Sequence, residues 1–185
     1  MRRSKPSIFR GVVTGIAAGI AATLVMDQFL KLSTSAQKSL EKQKKLAEHE
    51  SAWQIAHEQV QQEQKAAEQE DSTEIVARKI IEATGSHLAD AKKKKAGQAV
   101  HYTFGTVMGV VYAVSAELLP EVTTGAGTAF GTLLFLSADE VAVPAFQLSG
   151  PPTATPAFDH LQHWAAHVVY GGSLEMVRNL ITRLM

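Results

Sequence analysis

Apolar residues gather in four stretches, and a long polar segment separates the first from the other three. The first covers about Ile8 to Leu30; the later ones run from Val100 to Leu119, Thr124 to Ala145 and Leu161 to Leu180. None alternates as a half-buried strand would, and each is long enough for a helix. Residues 36–70 are rich in Gln, Glu, Lys and Ala and lack Gly and Pro, the composition of a solvated helix. Leu46, Trp53, Val60 and Ala67 recur at heptad spacing, but the companions Ala56 and Glu63 are too weak for a coiled-coil seam. Asp71-Ser72-Thr73-Glu74 then supplies a helix N-cap and Gly85 an end, which predicts a short helix carrying Ile75, Val76, Ile80 and Ile81.

The expected fold class is all-α, a four-helix transmembrane bundle with a polar helical insert between the first and second membrane helices. Residues 1–32 form the N-terminal membrane helix in this reading, 33–98 the insert and 99–185 a three-helix membrane core. Gly11, Gly15 and Gly19 recur every fourth residue, and Gly105 with Gly109 and Gly127 with Gly131 repeat that spacing. Such stripes let helices approach closely in lipid. In water, glycine costs a helix about 1 kcal/mol per position, so the repetition favours a membrane. The charge-free runs are about 15 to 17 residues, shorter than the roughly 20 that span a bilayer, so flanking residues must complete each span.

Composition changes this picture in two respects. Lys plus Arg and Asp plus Glu both count 18, so no global charge argues for nucleic acid, yet residues 31–95 hold 12 of the basic residues. There is no cysteine, which excludes disulfides, thiolate metal sites and cysteine nucleophiles. Lys92 to Lys95, directly before the second stretch, suit phosphate headgroups or simply a soluble helix end. The basic start (Arg2, Arg3, Lys5, Arg10) before an apolar run resembles a signal peptide, but Asp27 to Lys31 is a poor cleavage site and an uncleaved anchor is expected. Arginines near both termini favour a cytoplasmic placement of the ends, whereas the lysines of the insert argue the opposite.

Antiparallel neighbours would sort the ionisable residues onto two levels. His101, Asp139, Glu140, His160, His163 and His167 fall near one end, where Asp27 could join them. Imidazoles with carboxylates could form a divalent metal site. Without metal, His101, Asp139, Glu140, His163 and His167 would titrate between about pH 5 and 8 as a proton-handling or ligand-binding set. The plain alternative is wet, loop-bonded residues at the membrane interface. Glu117, Glu175 and Arg178 share the other level, where two carboxylates flanking one guanidinium would act as a structural clamp. No catalytic residue is identifiable, and no nucleotide loop, nucleophile elbow, zinc-protease motif or dinucleotide fingerprint is present.

The run His101-Tyr-Thr-Phe-Gly-Thr-Val-Met-Gly-Val-Val-Tyr112, continuing to Glu117 and Pro120, resembles the YagU-like family of small bacterial inner-membrane proteins. So do Ser137-Ala-Asp-Glu-Val-Ala-Val-Pro144 with Pro151-Pro152, and the tail from His167-Val-Val-Tyr170 through Glu175 and Arg178. The resemblance covers about residues 75–182; the polar helix has no counterpart in it. It implies a multi-pass inner-membrane protein without established activity or cofactor, loosely associated with acid resistance. Three functions follow as expectations: proton handling or sensing under acid stress, a membrane metalloprotein built on the same histidines and carboxylates, and a scaffold acting through the polar helix. The expected partners are the bilayer, a further copy of the chain, or a protein docking on the polar helix, and no nucleic acid.

Overall fold

The computed structural model describes residues 6–47, 51–68, 70–87 and 89–185. Arg2, Arg3 and Lys5, which bear on orientation, lie outside the described residues. The architecture is all-helical, with no strand among the described residues. In chain order the helices are α1 (Ile8–Ala47), α2 (Ala52–Glu68), α3 (Ser72–Ala83), α4 (Asp90–Leu118), α5 (Thr128–Leu134), a π-helical segment (Phe135–Ala142), α6 (Val143–Ala145) and α7 (Ala157–Leu184).

Two of these helices are longer than the apolar pattern suggests. Nothing between Leu30 and Ala47 interrupts α1: there is no Gly or Pro, and Ser33, Ser35 and Ser39 return their hydroxyls to carbonyls three or four residues back. The expected boundary at residues 32 and 33 therefore falls inside one helix. The boundary at 98 and 99 likewise falls inside α4, whose first turns carry Lys92 to Lys95. The short helix behaves as its caps require. Asp71 accepts the Glu74 amide at 2.8 Å, and Gly85 closes the end at φ 76°.

Helix α1 lies at the centre, packed against α4 on one side and α7 on the other, while α5 packs on α7 and α3 on α4. The glycine stripes set the first of these contacts. A Cβ on Gly15 would stand 2.5 Å from the Val110 backbone, and one on Gly109 would stand 2.6 Å from Gly19, so the two backbones touch where the stripes cross. Gly127 and Gly171 do the same for α5 and α7; Gly127 also needs its positive φ of 82°.

The distribution of side chains is inverted relative to a helix that buries its large apolar residues. Along α1 the buried face is Gly11, Thr14, Gly15, Ala18, Gly19, Ala22, Thr23 and Met26, whereas Val13, Ile16, Ile20 and Leu24 point outward. On α7 the buried set includes His167, Tyr170, Glu175 and Arg178, while Leu161, Met176 and Leu180 are exposed. Helices α1 and α4 are long and apolar enough to cross a membrane. Their most apolar windows have mean hydropathies of 1.8 and 1.2 and are only 39% and 28% buried.

Candidate functional site

The two polar levels are present, and different chemistry holds each. At the end where α1 begins, Glu175 and Arg178 sit one turn apart on α7, both buried. Arg178 donates through Nε to Glu175 Oε2 at 2.6 Å and through a terminal nitrogen to Oε1 at 2.8 Å, the bidentate fork that suits a guanidinium and a carboxylate. The Tyr112 hydroxyl from α4 donates to the same carboxylate at 2.9 Å, and Asn179 donates at 2.8 Å. Four donors therefore converge on one buried carboxylate, which offsets the cost of taking it out of water.

Glu117 does not share Arg178 in the way the sequence pattern suggests. Its carboxylate is held by Arg10 of α1, at 2.9 Å from Nε and 2.5 Å from a terminal nitrogen, with the Ser7 amide at 3.3 Å. The single clamp resolves into two, α1 to α4 and α4 to α7. Arg10 stands beside Glu117 because α1 and α4 run antiparallel in tight register. Only that pairing, which sequence separation conceals, could have revealed it.

At the other end, histidines meet carboxylates across helix boundaries. His101 of α4 lies 3.2 Å from Asp27 of α1, whose other oxygen accepts the Tyr102 hydroxyl at 2.9 Å. His160, at the start of α7, has Nδ1 at 2.6 Å from Glu140 and Nε2 at 2.9 Å from the Pro152 carbonyl. With acceptors at both ring nitrogens, this environment suits an imidazolium. The Pro152 carbonyl, followed by Glu140, accordingly raises the His160 pKa above its ordinary value. Asp139 reaches both His163, at 3.6 Å, and His167, at 3.8 Å. Both distances are longer than those of direct hydrogen bonds. His167 is buried against Phe135 and donates Nδ1–H to the His163 carbonyl at 2.9 Å.

The π-helical segment is what turns Asp139 and Glu140 toward α7. Pro144, two residues past its end, has no amide hydrogen to give and would crowd the carbonyl four residues earlier in a regular helix. The wider turn relieves that crowding, and such segments are often found at functional sites. An open cleft of about 870 Å³ lies over this end, bounded by Asp139, Glu140, Asp159, His160 and His163, with Asp71 of the α3 cap also lining it.

The sequence candidates thus assemble as two pairs and one trio. Asp139, His163 and His167 form one group, Glu140 and His160 another, and His101 with Asp27 a third. Among the described residues, no group of three or more His, Asp or Glu is arranged to hold a metal ion. Asp27, His160 and Tyr102 belong to this end as fully as the five residues expected to form it. Tyr102 gave no signal of its own in the sequence.

The family described as protein of unknown function, DUF1440, matches residues 68–176. The chain belongs to the DUF1440 family. The match takes in α3, α4, α5, the π-helical segment and most of α7, and therefore every histidine and carboxylate above except Asp27. No curated protein and no solved structure matches the chain.

Proposed function

We propose that this DUF1440 protein is a multi-pass inner-membrane bundle of the YagU-like kind, whose histidine end senses protons. The outward apolar faces of α1, α4, α5 and α7 support four spans, since large apolar side chains face away from a core made of small and polar residues. The observation that carries the sensing reading is the set of His–carboxylate pairs at one end, each joining two elements: α1 to α4 through Asp27 and His101, and the π-helical segment to α7 through Asp139 and Glu140.

Protonating each imidazole turns a dipolar contact into an ion pair between neighbouring elements, so acid draws this end together. Sensing is favoured over conduction because the core between the two ends is built of Ala18, Ala22, Ala166 and Leu174. Two tyrosines also lie there, and their hydroxyls are committed to the Gly105 carbonyl and to Glu175. The loose association of the YagU-like family with acid resistance agrees with this reading.

Trp164 is a built-in reporter, one residue past His163 and hydrogen-bonded to Thr132 of α5 at 3.1 Å. In a Trp53→Phe background reconstituted in lipid, its emission should shift with a midpoint between about pH 5 and 8. Asp139→Asn combined with His163→Gln should remove that midpoint while leaving the spectrum at pH 8 unchanged. A flat wild-type trace across this range would sink the sensing reading.

A further inference from the structure

The lysines at the start of α4 divide into one that is used within the fold and three that are not. Lys93 faces α3 and pairs with Glu70 at 2.5 Å and Asp90 at 2.8 Å. Gly97, one turn further, lies against Glu74 of the same helix. Lys92, Lys94 and Lys95 are exposed, and none has an ion-pair partner among the described residues. The antiparallel register of α1 and α4, fixed by Gly19 beside Gly105 and Asp27 beside His101, brings a fourth cation to this level. Lys31 lies one turn beyond Asp27, opposite the turn that follows Lys95; it is exposed and, among the described residues, also without an ion-pair partner.

The level of this collar is set by what adjoins it. The outward apolar stripe of α4 begins at Phe104 and continues through Val107 and Val111. Lys95 precedes Phe104 by nine residues, or about 14 Å of helix. The headgroup layer is only about 5 to 8 Å deep, so the lysine stems, reaching back along the helix toward the bilayer, bring the ammonium groups to the phosphate level. Phe146 and Phe158 are exposed at this same end, and Trp164 is partly so, as expected of aromatic rings at a bilayer surface.

We infer that Lys31, Lys92, Lys94 and Lys95 form a binding collar for anionic phospholipid headgroups around the histidine end of the bundle. The inference rests on the membrane reading proposed above and does not depend on proton sensing. Charge complementarity selects the occupant, since four cations without an ion-pair partner among the described residues face a layer whose anionic lipids present phosphate oxygens. Holding those lipids there fixes the depth of the histidine pairs relative to the membrane surface.

The test compares purified full-length protein in nanodiscs of phosphatidylcholine alone and of phosphatidylcholine with phosphatidylglycerol. The expected result is a thermal midpoint several degrees higher with phosphatidylglycerol, an increment that shrinks as salt is added. Lys92→Gln/Lys94→Gln/Lys95→Gln should abolish the increment while leaving the midpoint in phosphatidylcholine unchanged, and the triple Lys→Arg variant should restore it. An equal midpoint in both lipids would overturn the collar, as would an increment that survives the Gln substitutions. So would the same rise produced by inorganic phosphate in phosphatidylcholine alone. Failure of the protein to enter nanodiscs would overturn the membrane reading as well, which separates the two.

Discussion

The two ends of the bundle hold the same helices together by opposite means. Near the start of α1, guanidinium and carboxylate groups are close, bidentate and largely withdrawn from water. At the other end, imidazoles face carboxylates over 2.6 to 3.8 Å, with side chains as different in exposure as His163 at 57% and His167 at 9%. One end is a fixed tie and the other, in the proposed sensing reading, an adjustable one. A bundle built this way can loosen or tighten at one end while the opposite end keeps its helices in register.

The largest effect should come from the fixed end. Arg178→Ala leaves the buried Glu175 without its bidentate partner, and the expected loss is about 3 to 5 kcal/mol of unfolding free energy, measured by denaturant titration in detergent. A loss below about 1 kcal/mol would erase the contrast, because it would make this pair no stronger than an exposed one.

A smaller loss is expected from Gly131→Ala. The new methyl would run into the His167 carbonyl and push α5 off α7, at about 1 to 3 kcal/mol. It should also shift the pH midpoint of Trp164 emission, which Arg178→Ala should not move. If both variants shift that midpoint alike, the two ends are not independent.

The smallest effect is a matter of pH. The folded chain favours the His160 imidazolium, so its contribution is fully present below the ordinary value of 6.5 and is lost as pH rises through the raised one. His160→Gln should therefore lower the thermal midpoint at pH 5.5 and leave it unchanged at pH 8.5. The same drop at both values would make His160 a packing residue alone.

The sequence marks the helical fold well because its signals are local. Asp71 and Gly85 bound α3 where cap chemistry places them, and the glycine stripes foretell close helix contacts. It misleads where a change of polarity is not a change of structure. Ser33 to Ala47 turn polar without leaving the helix, and Lys92 to Lys95 are polar within the first turns of α4. The grouping of the ionisable residues at two levels follows from counting along antiparallel helices. Which partner each one takes does not, because that depends on helix rotation. Arg10 rather than Arg178 meets Glu117 for this reason, and Asp27 rather than Asp139 meets His101. The π-helical turn that aims Asp139 and Glu140 left one trace, Pro144, which enters the sequence reading only as the last residue of a family-like run.

Helix α1 passes through the bundle centre and continues, unbroken, to Ala47. From Asp27, beside the adjustable end, to Ala47 is about 30 Å of helix without a Gly or Pro to absorb bending. A rod of that length is a lever. A tilt of about 10° at Asp27 would sweep its far tip through about 5 Å, by the same helical rise. Gln162 of α7, hydrogen-bonded to Ser33 and Thr34, grips the rod just above its pivot. Small rearrangements among the histidine pairs would therefore reach the polar part of the chain as displacement.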